Sequence, residues 1–116
     1  MEQKPENAPV GAAVFTVCWH PGIKQDLKRI SPETVEDIVT AAMLRLTKVP
    51  QFVGQPLKGT DRRLWKIRFG KYRLVFTIDT EAREVWALSV QRRDVVYRDS
   101  HLQSLLRVAI ALHTRH

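Results

Sequence analysis

Ten lysines and arginines fall within residues 62–98: Arg62, Arg63, Lys66, Arg68, Lys71, Arg73, Arg83, Arg92, Arg93 and Arg98. Four acids oppose them, Asp79, Glu81, Glu84 and Asp94, so this segment carries +6 of the chain's net +7. The remaining residues are nearly neutral. Guanidinium and ammonium groups bind phosphate through charge-assisted hydrogen bonds, and an arginine can do so with two at once. Cations gathered in one segment, with Trp and Tyr nearby, point to a polyanion and above all to nucleic acid.

The elements that must hold these cations are strands. Residues 63–69, 72–78 and 84–91 each alternate between apolar or aromatic and polar side chains. Gly70-Lys71 fits a two-residue hairpin turn of type II′, which takes glycine first. That turn pairs Phe69 with Tyr72, Ile67 with Leu74 and Trp65 with Phe76. These six large side chains then share one face, the face expected to meet helices. The other face receives Lys66, Arg68, Arg73 and Val75, with Arg68 directly across from Arg73. Placing Trp86, Leu88 and Val90 on the core face of the third strand leaves the small residues Ala87 and Ser89 beside the cations. Like charges facing each other destabilise a sheet. Such a cost is expected where a ligand supplies the missing anion. A solvated face with snorkelling lysine and arginine side chains accounts for the same residues.

Upstream, residues 12–19 read as a strand and His20-Pro21-Gly22 breaks it. Ile23, Leu27 and Ile30 recur at helical spacing. Ser31-Pro32-Glu33 is a helix start: an N-cap serine, proline at the first position and an acid in the first turn. Val35, Ile38, Val39, Ala42, Met43 and Leu46 form the buried stripe of that second helix, which runs to about Lys48. Pro50 ends it, and residues 51–60 form a loop. Leu102, Leu105, Leu106, Ala109 and Ile110 mark an amphipathic helix over residues 100–113. The fold class is α+β: an N-terminal strand and a two-helix hairpin packed on a small, mostly antiparallel sheet, in the order β-α-α-β-β-β-α. The expected organisation is a flexible tail at 1–11, a domain at 12–98, and a C-terminal amphipathic helix and tail at 99–116.

At 116 residues, 44% hydrophobic and 27% charged, the chain is an ordinary globule with one modest core. Cys18 is the single cysteine, which excludes an intrachain disulfide and a cysteine-based metal site. It reads as a buried small hydrophobe. No apolar run reaches the roughly 18 to 20 residues of a membrane span. The N-terminus lacks the positive charge of a signal peptide. A cytoplasmic protein without membrane contact is therefore expected. His20 reads as a turn residue, and His113 and His116 as a fraying basic terminus rather than a metal site. Trp65 and Trp86 read as core.

In this order the motifs resemble the RelE/ParE superfamily of type II toxins. The residues that carry the resemblance are Leu57-Lys58-Gly59, then Trp65-Lys66-Ile67-Arg68, Gly70-Lys71-Tyr72-Arg73-Leu74-Val75, Asp79, and Arg92-Arg93-Asp94-Val95-Val96-Tyr97. The upstream strand and helix pair fit as well, so the resemblance covers residues 12–98. It implies a small RelE-like, microbial-RNase-type fold, a cognate antitoxin, and toxicity by one of two routes. RelE-type members cut messenger RNA in the ribosomal A site. ParE-type members inhibit DNA gyrase and lack the cationic catalytic set. Carried over by position, the RelE-type catalytic residues are Lys66, Arg68, Arg73, Arg92 and Tyr97. Arg62, Arg63, Lys71, Arg93 and Arg98 would add RNA contacts. Gln91 departs from the family, which often has His or Lys there. Val95-Val96 lengthens the last motif by one residue, which leaves Arg92 and Arg93 as alternative phosphate ligands.

Cleavage by 2′-hydroxyl attack needs a base, stabilisation of the phosphorane charge, and an acid for the leaving oxygen. All four histidines lie outside residues 62–98, and Glu84 is expected on the core face. Lysine, arginine and tyrosine remain. Lys66, beside arginines that favour its neutral form, is the candidate base. Arg73 and Arg92 would hold the phosphate, and Tyr97 would stack on a base or share the proton chemistry. The resemblance thus implies a ribosome-dependent endoribonuclease that needs no metal or other cofactor. Its partners would be an antitoxin, the ribosome with its mRNA, and operator DNA reached through the antitoxin. A ParE-like gyrase inhibitor and an inactive antitoxin-binding member are the alternatives. The C-terminal helix either completes the core or forms a surface that an antitoxin helix contacts or displaces.

Overall fold

The computed structural model describes residues 14–114. The expected tail at 1–11 and His116 lie outside them. The sheet has five strands: β1 (Thr16–Trp19), β2 (Gln55–Pro56), β3 (Trp65–Phe69), β4 (Tyr72–Asp79) and β5 (Glu84–Arg92), in the spatial order β1-β5-β4-β3-β2. β1 runs parallel to β5, and every other pairing is antiparallel. The helices are α1 (Ile23–Leu27), α2 (Pro32–Leu46), α3 (Pro50–Val53), α4 (Arg93–Val96) and α5 (Asp99–His113). The α+β class is as expected. The short elements α3, β2 and α4 lie in segments that periodicity cannot read, because each spans four residues or fewer. Pro50 accordingly opens α3 rather than closing α2, which stops at Leu46.

Local signals explain the main elements. The Ser31 side chain accepts a hydrogen bond from the Thr34 amide at 3.3 Å, so it caps α2 as its type suggests. Gly70 has φ +60°, while Lys71 is not in the left-handed region, which is the II′ pattern. The hairpin register pairs Trp65 with Phe76, Ile67 with Leu74, Arg68 with Arg73 and Phe69 with Tyr72. Gly54 crosses so close to the Phe76 ring that a Cβ there would lie 2.6 Å from its Cζ. No larger residue fits without moving the ring.

The face of Trp65, Ile67, Leu74 and Phe76 meets Ile23, Ile38, Ala42 and Leu46, with Phe15 and Val17 from the β1 side. Phe69 and Tyr72 pack at its margin. Here β5 departs from the expected register. Val75 pairs with Ser89 but Phe76 pairs with Ala87, so a bulge inserts one extra residue at Leu88. A one-residue slip exchanges the faces of everything beyond it. Val90 stays on the first core face and Ala87 joins it, whereas Trp86 and Leu88 turn to the opposite side. Glu84 goes with Trp86 and accepts its indole N–H at 2.9 Å.

The opposite face is therefore not an open cationic surface. α5 covers it, and Leu105 and Ala109 pack with Val75, Leu88, Leu57, Leu64 and Val96 in a second core. Two histidines moor this helix. His101 Nε2 lies 3.1 Å from Ser89 Oγ, and His113 Nε2 lies 3.0 Å from Thr77 Oγ1. His113 thus holds α5 to the sheet instead of fraying. Along β4 the second face runs from Thr77 through Val75, both fully buried, to Arg73 at the hairpin end. No helix among the described residues is long and apolar enough to cross a membrane.

Burial holds the His101 imidazole below its usual range. Asp26 pulls the other way, and Arg98 adds to the lowering. The unfolded chain then takes up this proton more readily than the folded one. Stability should fall as pH drops below about 6.5, the value of an unperturbed histidine, and level off below the folded value. Urea unfolding at pH 7.5 and 5.5 checks this. The parent should lose more stability between the two than His101→Gln does.

Candidate active site

β5 ends at Arg92, whose extended backbone (φ −68°, ψ 158°) caps α4. The single turn of α4 buries Val96 against the second core and returns the chain toward β4. This turn delivers Tyr97 to Lys66 of β3. Lys71, Arg73, Arg92, Arg93, Asp94 and Tyr97 line the resulting open pocket of about 480 Å3. Arg92 and Arg93 both line it, so they need not be alternatives.

Arg73 is the floor of this pocket and is only 7% exposed. Its Nη1 donates to the carbonyls of Gly70 and Tyr72, each at 3.0 Å, which fixes the guanidinium against the hairpin turn. Its Nε is buried and finds no partner among the described residues. A buried cation with an orphaned donor is costly, and an incoming phosphate oxygen would relieve that cost. Lys66 stands one pair of residues further along β3, partly buried, and its Nζ hydrogen-bonds the Tyr97 hydroxyl. Tyr97 is 44% exposed, leaving its ring accessible.

The other expected residues separate. Arg68 lies opposite Arg73 in the register but is exposed and does not line the pocket. Lys71 lines it, with its Nζ 5.6 Å from the centre of the Tyr72 ring. Arg62 and Arg63 precede β3 and lie at its far end from the turn. Arg62 takes φ +59° and its carbonyl accepts the Trp65 indole N–H at 3.0 Å. Arg98 caps α5 outside the pocket. Asp94 is the pocket residue that strand periodicity misses. It follows the arginine pair directly, and only the helical turn reveals which way it faces.

The pocket joins one fixed arginine, Arg73, with Arg92, Arg93 and the accessible Tyr97 ring, and Lys66 stands outside its lining, bonded to the Tyr97 hydroxyl. A family model described as the ParE toxin of the type II toxin–antitoxin system parDE matches residues 17–97, and the chain belongs to this family, within the RelE/ParE superfamily. It is 32% identical to Toxin RelG of Mycobacterium tuberculosis over 84 residues, which span 72% of this chain and 97% of that protein. The crystal structure of the RelBE2 toxin–antitoxin complex of the same organism contains a similar chain. It superposes with a TM-score of 0.63 at 30% identity, covering 70% of this chain and 93% of that one. A mutant of Escherichia coli toxin RelE in the free state also gives a TM-score of 0.63, over 82% of this chain and 97% of that one. At 14% identity this second likeness shows the fold alone.

Proposed function

We propose that this type II toxin is a ribosome-dependent endoribonuclease that cuts translated mRNA in the A site. The observation that carries the reading is Arg73, a buried guanidinium whose Nε has no partner among the described residues, on the floor of a pocket that Arg92 and Arg93 also line. The scissile phosphate sits on these arginines. The substrate 2′-oxygen attacks phosphorus as the bond from phosphorus to the 5′-oxygen breaks; the 2′-hydroxyl proton passes to the Lys66–Tyr97 pair, and that pair returns a proton to the departing 5′-oxygen. The products are a 2′,3′-cyclic phosphate and a 5′-hydroxyl. Arg73, Arg92 and Arg93 stabilise the charge that develops on the phosphorane. The Tyr97 ring stacks on a neighbouring base. The open pocket does little to orient a flexible strand, so the ribosome supplies that orientation and free RNA is cut slowly. Lys71 adds a phosphate contact at the rim, while Arg62, Arg63, Arg68 and Arg98 serve more distant RNA contacts.

A cognate antitoxin is part of the reading. A chain 30% identical to this one is seen in the RelBE2 toxin–antitoxin complex. The rival is gyrase inhibition, which the ParE description of the matching family favours. The Lys66–Tyr97 contact beside three arginines favours the nuclease. The test incubates the purified toxin with programmed ribosomes, with free RNA, and with gyrase and relaxed plasmid. Cleavage confined to ribosome-bound mRNA supports the reading. Blocked supercoiling with intact mRNA transfers it to gyrase.

A further inference from the structure

We propose that Asp26, on α1, is a positioning residue for the Arg92–Arg93 limb of the pocket. The inference rests on the phosphate-site reading above. β1 lies along β5 only as far as Ala87, whose carbonyl accepts the His20 amide at 2.9 Å. Beyond that point the outer edge of β5 has no neighbouring strand among the described residues, and an edge amide there needs another acceptor. Asp26 provides it. Its Oδ2 accepts the Val90 amide and the Ser89 hydroxyl, both at 2.9 Å, and its Oδ1 accepts Gln91 Nε2 at 2.6 Å. Three successive residues of β5 thus converge on one carboxylate, through bonds strengthened by its charge.

The next residue is Arg92, where β5 gives way to α4. An error in strand direction at this junction is carried into Arg92, Arg93 and Tyr97 together. Asp26 and Arg92 also line a common concavity of about 240 Å3, adjoining the pocket through Arg92 itself. From the other face of the sheet, His101 meets the same Ser89 hydroxyl. Ser89 donates to Asp26 and accepts from His101, so the strand end is held by both helical layers. Gln91 reaches Asp26 from the position where the resemblance to the family expects His or Lys. In this chain a neutral amide serves the carboxylate, which leaves its negative charge uncompensated by that neighbour.

The experiment follows the Arg92 and Arg93 side-chain Nε–Hε signals by NMR during titration with inorganic phosphate. Single-turnover cleavage and ribosome affinity are measured in parallel. Asp26→Asn should weaken phosphate binding at these arginines by about fivefold to tenfold. It should slow cleavage about 10- to 100-fold while ribosome affinity stays within twofold, as expected for a misplaced catalytic limb. A purely structural role would lower stability and leave the affinity of the folded fraction unchanged. Folded Asp26→Asn that binds phosphate like the parent overturns the proposal. If that variant does not fold, Gln91→Ala decides, since it removes only one bond. It should weaken phosphate binding by about twofold or more, and parental affinity would overturn the proposal. A parent that binds phosphate but cuts no mRNA sinks the nuclease alone and leaves Asp26 to the phosphate arm. A parent that binds no phosphate at Arg92 sinks both.

Discussion

Arg73→Met will fold at least as stably as the parent and cleave ribosome-bound mRNA about 10²- to 10³-fold more slowly, the cost of removing one preorganised donor to a developing charge. The two halves of this result come from one observation. Arg73 is almost fully buried, faces Arg68 in the register, and keeps an Nε without a partner among the described residues. Burying a charge that is incompletely paired is expensive, and apolar replacements of similar volume are often neutral or stabilising. Two backbone carbonyls lose a donor in the variant, but the Gly70 carbonyl lies in an exposed turn where water can replace it. Phosphate should raise the melting temperature of the parent, because it binds the folded chain alone, and should leave Arg73→Met unchanged. A variant that is much less stable and still active would make Arg73 a structural residue.

Lys66→Met and Tyr97→Phe will each lower the cleavage rate by about 10²- to 10⁴-fold, the range for loss of general acid–base catalysis. The double variant will be little worse than the slower single one. Lys66 Nζ and the Tyr97 hydroxyl touch directly, so either substitution removes the same proton path. Residues that act as a unit are strongly non-additive. Substrate affinity should change less than rate, because Arg73, Arg92 and Arg93 remain to hold the phosphate. Additive losses in a double-mutant cycle would mean that the two residues act separately. Tyr97→Phe keeps the ring for stacking, so a rate close to the parent's would assign Tyr97 to base stacking alone.

Much of this arrangement is legible in the chain because alternation and one turn determine it. Gly70 sets the hairpin register, and that register alone puts Lys66, Arg68 and Arg73 on the face opposite Trp65, Ile67 and Phe69. Burial along β3 agrees, but on β4 Arg73, Val75, Thr77 and Asp79 are buried as well. Val75 is buried because α5 lies over it, and Thr77 meets His113 of the same helix; an amphipathic stripe does not say which surface it will cover. The bulge at Leu88 is equally silent. Its sequence, Ala87-Leu88-Ser89, carries no glycine or proline, and both strand faces offer apolar residues, so packing against α5 decides the slip. The last piece, Asp26, is invisible from spacing. It sits on the polar side of a short amphipathic helix, and only the end of β1 at Trp19 creates the vacant edge that it fills.

On the proposed reading, this toxin acts through its phosphate pocket on translated messages. The most direct measurement is genome-wide mapping of RNA 5′ ends shortly after induced expression of the parent and of Arg73→Met. New 5′-hydroxyl ends within open reading frames, in phase with codons, are expected in the parent and absent from the variant. Intact messages accompanied by DNA breaks, or identical cuts from Arg73→Met, would contradict it.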